Sequence, residues 1–232
     1  IKRIADRQVA FSDRDNWAYQ ALFKEGWSLG CPPDYFSKDG QAWGFSVVDP
    51  EKLFNKDGSL GPAGELLFKL YLKMFKENPG GVRIDHMVGL IDPWVYVSGK
   101  KPKIEEGAGR LYSSPEHPVL SRYAIATMDD LNPEVEADKE ERIIKLTPEQ
   151  VRKYGRLVEK ILIGAAEEVG LDKDSIVCDD LGTLTMPDVS VMKEYDLQGM
   201  KLIQFVVPEK PMHPYRCKNI NERCWAMVGT HD

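Results

Sequence analysis

Three short apolar runs in this chain each end in a carboxylate. Val82-Arg83-Ile84 leads into Asp85 and His86, Ser175-Ile176-Val177-Cys178 into Asp179 and Asp180, and residues 225–230 into His231 and Asp232. If the runs are parallel strands of a barrel, their C-terminal ends share one rim and the acids converge there. Acids on one rim suit glycoside chemistry. One carboxylate attacks or stabilises the anomeric carbon, and a second, protonated, releases the leaving oxygen. Crowded like charges raise one pKa and keep that acid protonated. Two other readings stay open. The acids cap helices or pair with Arg83, or Asp179-Asp180, His86 and His231-Asp232 ligate a metal. The histidines show no HxH or HExxH spacing.

A second candidate is the loop of residues 30–44, Gly-Cys-Pro-Pro-Asp-Tyr-Phe-Ser-Lys-Asp-Gly-Gln-Ala-Trp-Gly. Tyr35 and Trp43 offer faces for the C–H surfaces of sugar rings, and Asp34 and Gln41 can read hydroxyls. Pro32 and Pro33 stiffen the loop, which lowers the entropy lost on binding. The bland alternative is a Pro/Gly connector.

The elements that would position these residues alternate. Residues 1–11 read as the tail of a strand ending near Val9-Ala10-Phe11, and residues 12–45 as loop or short helix. Pro62 opens a helical pattern with Leu67, Leu70, Tyr71 and Met74, which Pro79-Gly80-Gly81 stops. Thr147-Pro148-Glu149-Gln150 is a capping-box helix start. The stripe Val151, Tyr154, Val158, Ile161, Leu162, Ala165 and Val169 predicts one helix ending at Gly170. A shorter helix is expected over residues 187–195, and a buried strand over 200–207. Residues 96–146 read as an irregular, partly mobile insertion on the rim, with 134–142 a solvated face. The order is that of an α/β protein with a parallel sheet and right-handed crossovers.

The 232 residues carry a net charge of −6, with 42% hydrophobic and 29% charged residues. That balance fits one globular domain and gives no electrostatic reason to expect nucleic acid or an anionic membrane as partner. Cys31, Cys178, Cys217 and Cys224 form no CxxC pair and read as reduced thiols. No signal peptide or membrane span is visible, and a cytoplasmic protein is expected.

Several blocks together resemble the 4-alpha-glucanotransferases, the amylomaltase or disproportionating-enzyme family (glycoside hydrolase family 77) of the alpha-amylase clan. Residues 30–44 resemble its G-x-P-P-D-x-F-S-x-x-G-Q-x-W-G loop. Residues 13–18 resemble a D-V-W-A segment, 83–86 R-I-D-H, 178–182 A-E-D-L-G, 199–205 G-[ML]-K-x-x-Q-F, and 229–232 G-T-H-D.

The resemblance implies a partial (β/α)8 barrel, from the end of strand three through strand seven, in an internal fragment of a longer enzyme. It implies a retaining double displacement on α-1,4-glucans and maltooligosaccharides, with neither organic cofactor nor metal. Asp85 would be the nucleophile, Asp179 would occupy the acid/base position, and Asp232 would stabilise the transition state. Arg83 would hold Asp85 ionised, and His86 and His231 would hydrogen-bond sugar hydroxyls. The loop with Pro32, Pro33, Asp34, Tyr35, Gln41 and Trp43 would cover the acceptor side. Two positions depart from the family. Its acid/base is Glu where this chain has Asp179, and R-I-D-H is followed by Met87-Val88-Gly89 rather than F-R-G. The shorter acid predicts a slow or inactive transferase, with an α-glucan hydrolase and a non-catalytic glucan-binding protein as the alternatives.

Overall fold

The structure, a computed structural model, describes residues 5–7, 17–33, 37–181, 184–211, 215–220 and 222–229. Its centre is a set of short parallel strands. They are β1 (Ala5–Arg7), β4 (Val82–Ile84), β7 (Ile176–Cys178), β8 (Gly199–Leu202) and β9 (Cys224–Met227). Strand β4 lies between β1 and β7, and β8 pairs with β9. A parallel bridge from Val177 to Gln198, with Cys178 N donating to Gln198 O at 2.7 Å, carries the order on from β7 toward β8. Successive parallel strands taken in chain order are the wall of an incomplete barrel. Val82, Ile84, Ile176, Val177 and Cys178 are all buried, as expected for strands covered on both faces.

Helices cover the outside. In α1 (Pro62–Glu77), Ala63, Leu67, Tyr71 and Phe75 face the core at helical spacing. The segment expected as one helix begins at Thr147 with a reciprocal capping box. Gln150 N donates to Thr147 Oγ1 at 3.2 Å and Thr147 N to Gln150 Oε1 at 2.8 Å. It is interrupted, however. Pro148–Leu157 is α-helical, Val158–Ile163 is a π-helical turn, and Gly164–Glu168 resumes the α-helix. The wider turn still buries Val158, Ile161 and Leu162 completely. A later helix, Met186–Glu194, starts at Thr185 with Asp188 closing the box.

Three expectations need correction. Residues 12–45 are not only loop. Strand β2 (Phe23–Cys31) and strand β3 (Gln41–Val48) form an antiparallel hairpin, extended by β5 (Trp94–Val97) and β6 (Gly109–Arg110) in the order β3-β2-β5-β6. A bulge between Phe23 and Ser28 breaks the alternation that a strand would show in sequence. The strand expected over 200–207 ends at Leu202, where a 3-10 turn, Ile203–Phe205, takes over. The face at 134–142 is not wholly solvated. Asp138 is buried, and Arg142 donates to the carbonyls of Asn132 and Val135 and pairs with Glu116. Of the strand expected over residues 1–11, Ala5–Arg7 is present, and residues 8–11 lie outside the described ones.

Candidate active site

Register places the first two acids. Arg83 pairs with Val177 and Ile84 with Cys178 across parallel strands. The ladder runs on past the strand ends, with Asp179 N donating to Ile84 O at 2.8 Å and Met87 N to Asp179 O at 3.1 Å. Asp85 and Asp179 therefore leave neighbouring strands at the same level. Neighbouring strands lie about 4.8 Å apart. A retaining carboxylate pair needs about 5–5.5 Å between carboxyls.

Arg83 binds the two acids together. Its Nη1 lies 3.0 Å from Asp85 Oδ1, and its Nη2 lies 2.6 Å from Asp179 Oδ2. Arg83 Nε is 3.3 Å from Met200 Sδ, which anchors the guanidinium on β8. The side chains of Arg83 and Asp179 are each 14% exposed, and that of Asp85 33%, so the pair opens to solvent on the Asp85 side. Burial pushes the Asp179 carboxyl up to about 6, and its hydrogen bond with Asp85 and that neighbour's charge push the same way. The Leu181 N–H and Arg83 oppose the rise. An Asp with its proton held near neutral pH can serve as a general acid.

His86 follows Asp85 with φ of 49°, the left-handed region that a non-glycine residue adopts at a cost. Its ring meets Trp43 edge to face, with centroids 4.7 Å apart and planes at 89°. Burial lowers the His86 pKa to about 4, against the pull of Asp85 and with Arg110 adding to the drop. The imidazole is therefore neutral at neutral pH, one nitrogen donating and the other accepting. Trp43 Nε1 donates to Gln41 Oε1 at 3.2 Å, which joins Gln41 to the same cluster.

Asp180 has a different part. It is 5% exposed, accepts from Met200 N at 2.6 Å, and pairs with Lys201 Nζ at 2.8 Å. A Cβ at position 199 would collide with its carboxylate, so Gly199 is required for this approach. Asp180 thus ties the end of β7 to the start of β8 and fixes the backbone that carries Asp179. Lys201 also lies 5.4 Å from the Tyr215 ring.

Pro32 is buried and Pro33 half-buried at the base of the 30–44 loop. The loop is held from the other side. Asp39 pairs with Lys101 at 3.3 Å and with Lys103, and Gly40, at φ of 70°, packs against Pro102. Trp94 Nε1 donates to Pro102 O at 2.9 Å. Asp34, Tyr35, His231 and Asp232 lie outside the described residues. Arg83, Asp85, His86, Asp179, Trp43 and Gln41 come together. Among the described residues, no three His, Cys, Asp or Glu side chains are arranged to hold a metal ion. Cys178 is buried directly before Asp179.

Sequence reasoning missed Lys201, although the G-M-K block was noted, because a lysine there reads as a solvated charge. It also missed Arg110, which is 2% exposed, lies over the Trp94 ring at 5.7 Å and acts on His86. No local spacing marks Arg110.

Comparison with known proteins agrees with the fold. The family model described as 4-alpha-glucanotransferase, glycoside hydrolase family 77, matches residues 8–232. The chain belongs to this family. It is 26% identical over 206 residues to a 4-alpha-glucanotransferase of Clostridium butyricum, covering 88% of this chain and 31% of that protein. It is 26% identical over 236 residues to one of Synechocystis sp., covering 97% and 35%. The chain thus spans about a third of the length of these two relatives. In structure it is similar to amylomaltase from Corynebacterium glutamicum, with a TM-score of 0.66 at 19% identity over 99% of this chain and 25% of that one. It is also similar to amylomaltase from Streptococcus agalactiae in complex with acarbose, with a TM-score of 0.61 at 20% identity over 100% and 38%. At these identities the likeness speaks for the fold.

Proposed function

We propose that this chain carries the catalytic carboxylates of a 4-alpha-glucanotransferase, on the third to seventh strands of its barrel. The observation that carries this is the Asp85–Asp179 pair on adjacent parallel strands, bridged by one arginine. In the reaction, Asp85 attacks the anomeric carbon and forms a glycosyl ester. The departing 4-hydroxyl takes its proton from Asp179. An incoming glucan 4-hydroxyl then gives its proton to Asp179 and attacks the same carbon, which frees Asp85. Transfer between glucans needs water kept out, and the loop carrying Gln41 and Trp43 stands over His86 to do so. His231 and Asp232 belong to the same proposal as sugar-binding and stabilising groups. The acarbose bound by the Streptococcus agalactiae relative fits a site for α-glucans.

Asp179 is one methylene shorter than the Glu expected there, about 1.5 Å of reach, and a misplacement of about 1 Å can cost about 100-fold in rate. Its hydrogen bond to Arg83 draws it toward the strand. The proposal is therefore a slow transferase. The test is the complete protein with maltotriose. Glucose together with longer oligosaccharides supports transfer, glucose and maltose alone indicate a hydrolase, and binding without turnover indicates a glucan-binding protein. Activity should survive EDTA.

A further inference from the structure

Strand β3 carries residues that its partner β2 does not match. Leu29 of β2 pairs with Phe45, and the next residue, Gly30, pairs with Ala42. Trp43 and Gly44 are left over, as a bulge in the ladder. Bulges next to active sites re-aim a side chain. This one presents Trp43 to His86, with ring centroids 4.7 Å apart. Gly44 takes φ of 73°, the left-handed region that favours glycine. A Cβ there would meet nothing within 4 Å, so the conformation and not crowding calls for glycine.

A bulge leaves its extra residues without ladder partners. The Gly44 N–H donates instead to Tyr96 Oη at 3.2 Å. Tyr96 comes from β5, on the far side of β2 from β3. It pairs with Ser28, and Gly30 follows two residues on, so all three share one face of the sheet. The Tyr96 ring crosses β2 at Gly30. A Cβ at that position would stand 3.1 Å from the ring and collide with Gln41 O. Tyr96 is 4% exposed and packs with Trp94 and Ala108, which fixes where its hydroxyl lies.

We propose that Tyr96 is a positioning residue for glucan transfer, whose hydroxyl sets the bulge that holds Trp43 against His86, beside the attacking Asp85. The role rests on the proposed transferase reading, in which the loop keeps water from the glycosyl ester. Tyr96 acts through Trp43 and is not itself a catalytic residue. Without the hydroxyl the backbone at Gly44 is free to turn, Trp43 leaves His86, and water competes with the incoming 4-hydroxyl.

The test uses the complete protein and Tyr96→Phe, which keeps the ring and removes the hydroxyl. One readout is the ratio of longer oligosaccharides formed to bonds hydrolysed on maltotriose, which does not depend on how much of a sample is folded. The other is hydrogen exchange at the Gly44 amide relative to the Val95 amide of the same sheet, measured without substrate. Loss of one hydrogen bond should speed the relative exchange at least about fivefold and lower the ratio at least about threefold. Trp43→Ala should lower the ratio at least as much. Tyr96→Phe added to Trp43→Ala should lower it no further, since both remove the same contact. Either readout unmoved in Tyr96→Phe overturns the inference, as does a double variant whose loss is the product of the two single losses. A parent that forms no longer oligosaccharides overturns the transferase reading and this role with it. A parent that forms them, with Tyr96→Phe unaltered, overturns the role alone.

Discussion

Arg83 Nη2 lies 2.6 Å from Asp179 Oδ2, and the same guanidinium reaches Asp85 at 3.0 Å. One cation thus serves two acids that the proposed reaction needs in opposite protonation states. Replacing Arg83 with Met should remove one of the two groups that oppose the rise of the Asp179 pKa, the other being the Leu181 N–H. The alkaline limb of the pH–rate profile should move up by about one unit while the maximal rate falls, since an opposite charge nearby lowers a carboxyl pKa by about 1–3 units. A limb that stays in place would show that Arg83 does not act on the acid.

Asp85→Asn removes the attacking oxygen and its charge. Transfer from maltotriose by the complete protein should fall by about 10⁴-fold or more, as for other enzymes that lose their nucleophile. A change of less than about tenfold would assign attack to another group.

Asp179→Glu restores the missing methylene. Disproportionation of maltotriose should rise several-fold or more, up to about 100-fold if reach alone is limiting. No rise would mean that Asp179 is not the acid/base group.

Asp180→Ala leaves Lys201 and the Met200 N–H without their buried acceptor. Removing one partner of a buried ion pair costs about 3–5 kcal/mol. Urea unfolding of the complete protein should show a loss of that size. A loss below about 1 kcal/mol, the worth of an exposed pair, would mean that the clamp between β7 and β8 does not form.

Asp188 should make stability depend on pH. Burial pushes its carboxyl up to about 7, with the Thr185 hydrogen bonds opposing and Asp92 adding to the rise. A carboxyl whose folded pKa is raised contributes stability that is full below its unfolded pKa and lost as pH climbs through the folded value. The loss should run from about pH 4 to about pH 7. Asp179 acts in the same sense up to about pH 6. His86, lowered to about 4, acts in the opposite sense, and its contribution falls away as pH drops from about 6.5. Asp188→Asn isolates one group. The difference in unfolding free energy between variant and parent should change by up to about 1.4 kcal/mol per pH unit across that window and be flat outside it.

The strands that lead to Asp85 and Asp179 were legible in the sequence because they are short, β-branched and bounded by glycine or charge. Val82 to Ile84 and Ile176 to Cys178 needed no more than that. The β2–β3 hairpin was not legible. Its sequence carries Gly26, Ser28, Gly30 and Gly44, and its alternation breaks at the bulge. Strand β2 is completed by β5, more than sixty residues away, through pairs such as Trp27 with Val97. The early end of β8 was hidden for a related reason. Apolar residues continue through Val207, and only the turn at Ile203–Phe205 stops the ladder. The role of Asp180 needed three dimensions, since its partners Met200 and Lys201 belong to the next strand.

The register between β4 and β7 also limits how this site can change by descent. A residue inserted in either strand would slide one acid by about 3.3 Å and turn it to the other face of the sheet, while its neighbour stayed put. Loops around the rim can lengthen or shorten without moving the pair. Variation between the two carboxylates is thus confined to exchange of the side chain itself, and an Asp in place of a Glu is the smallest such step.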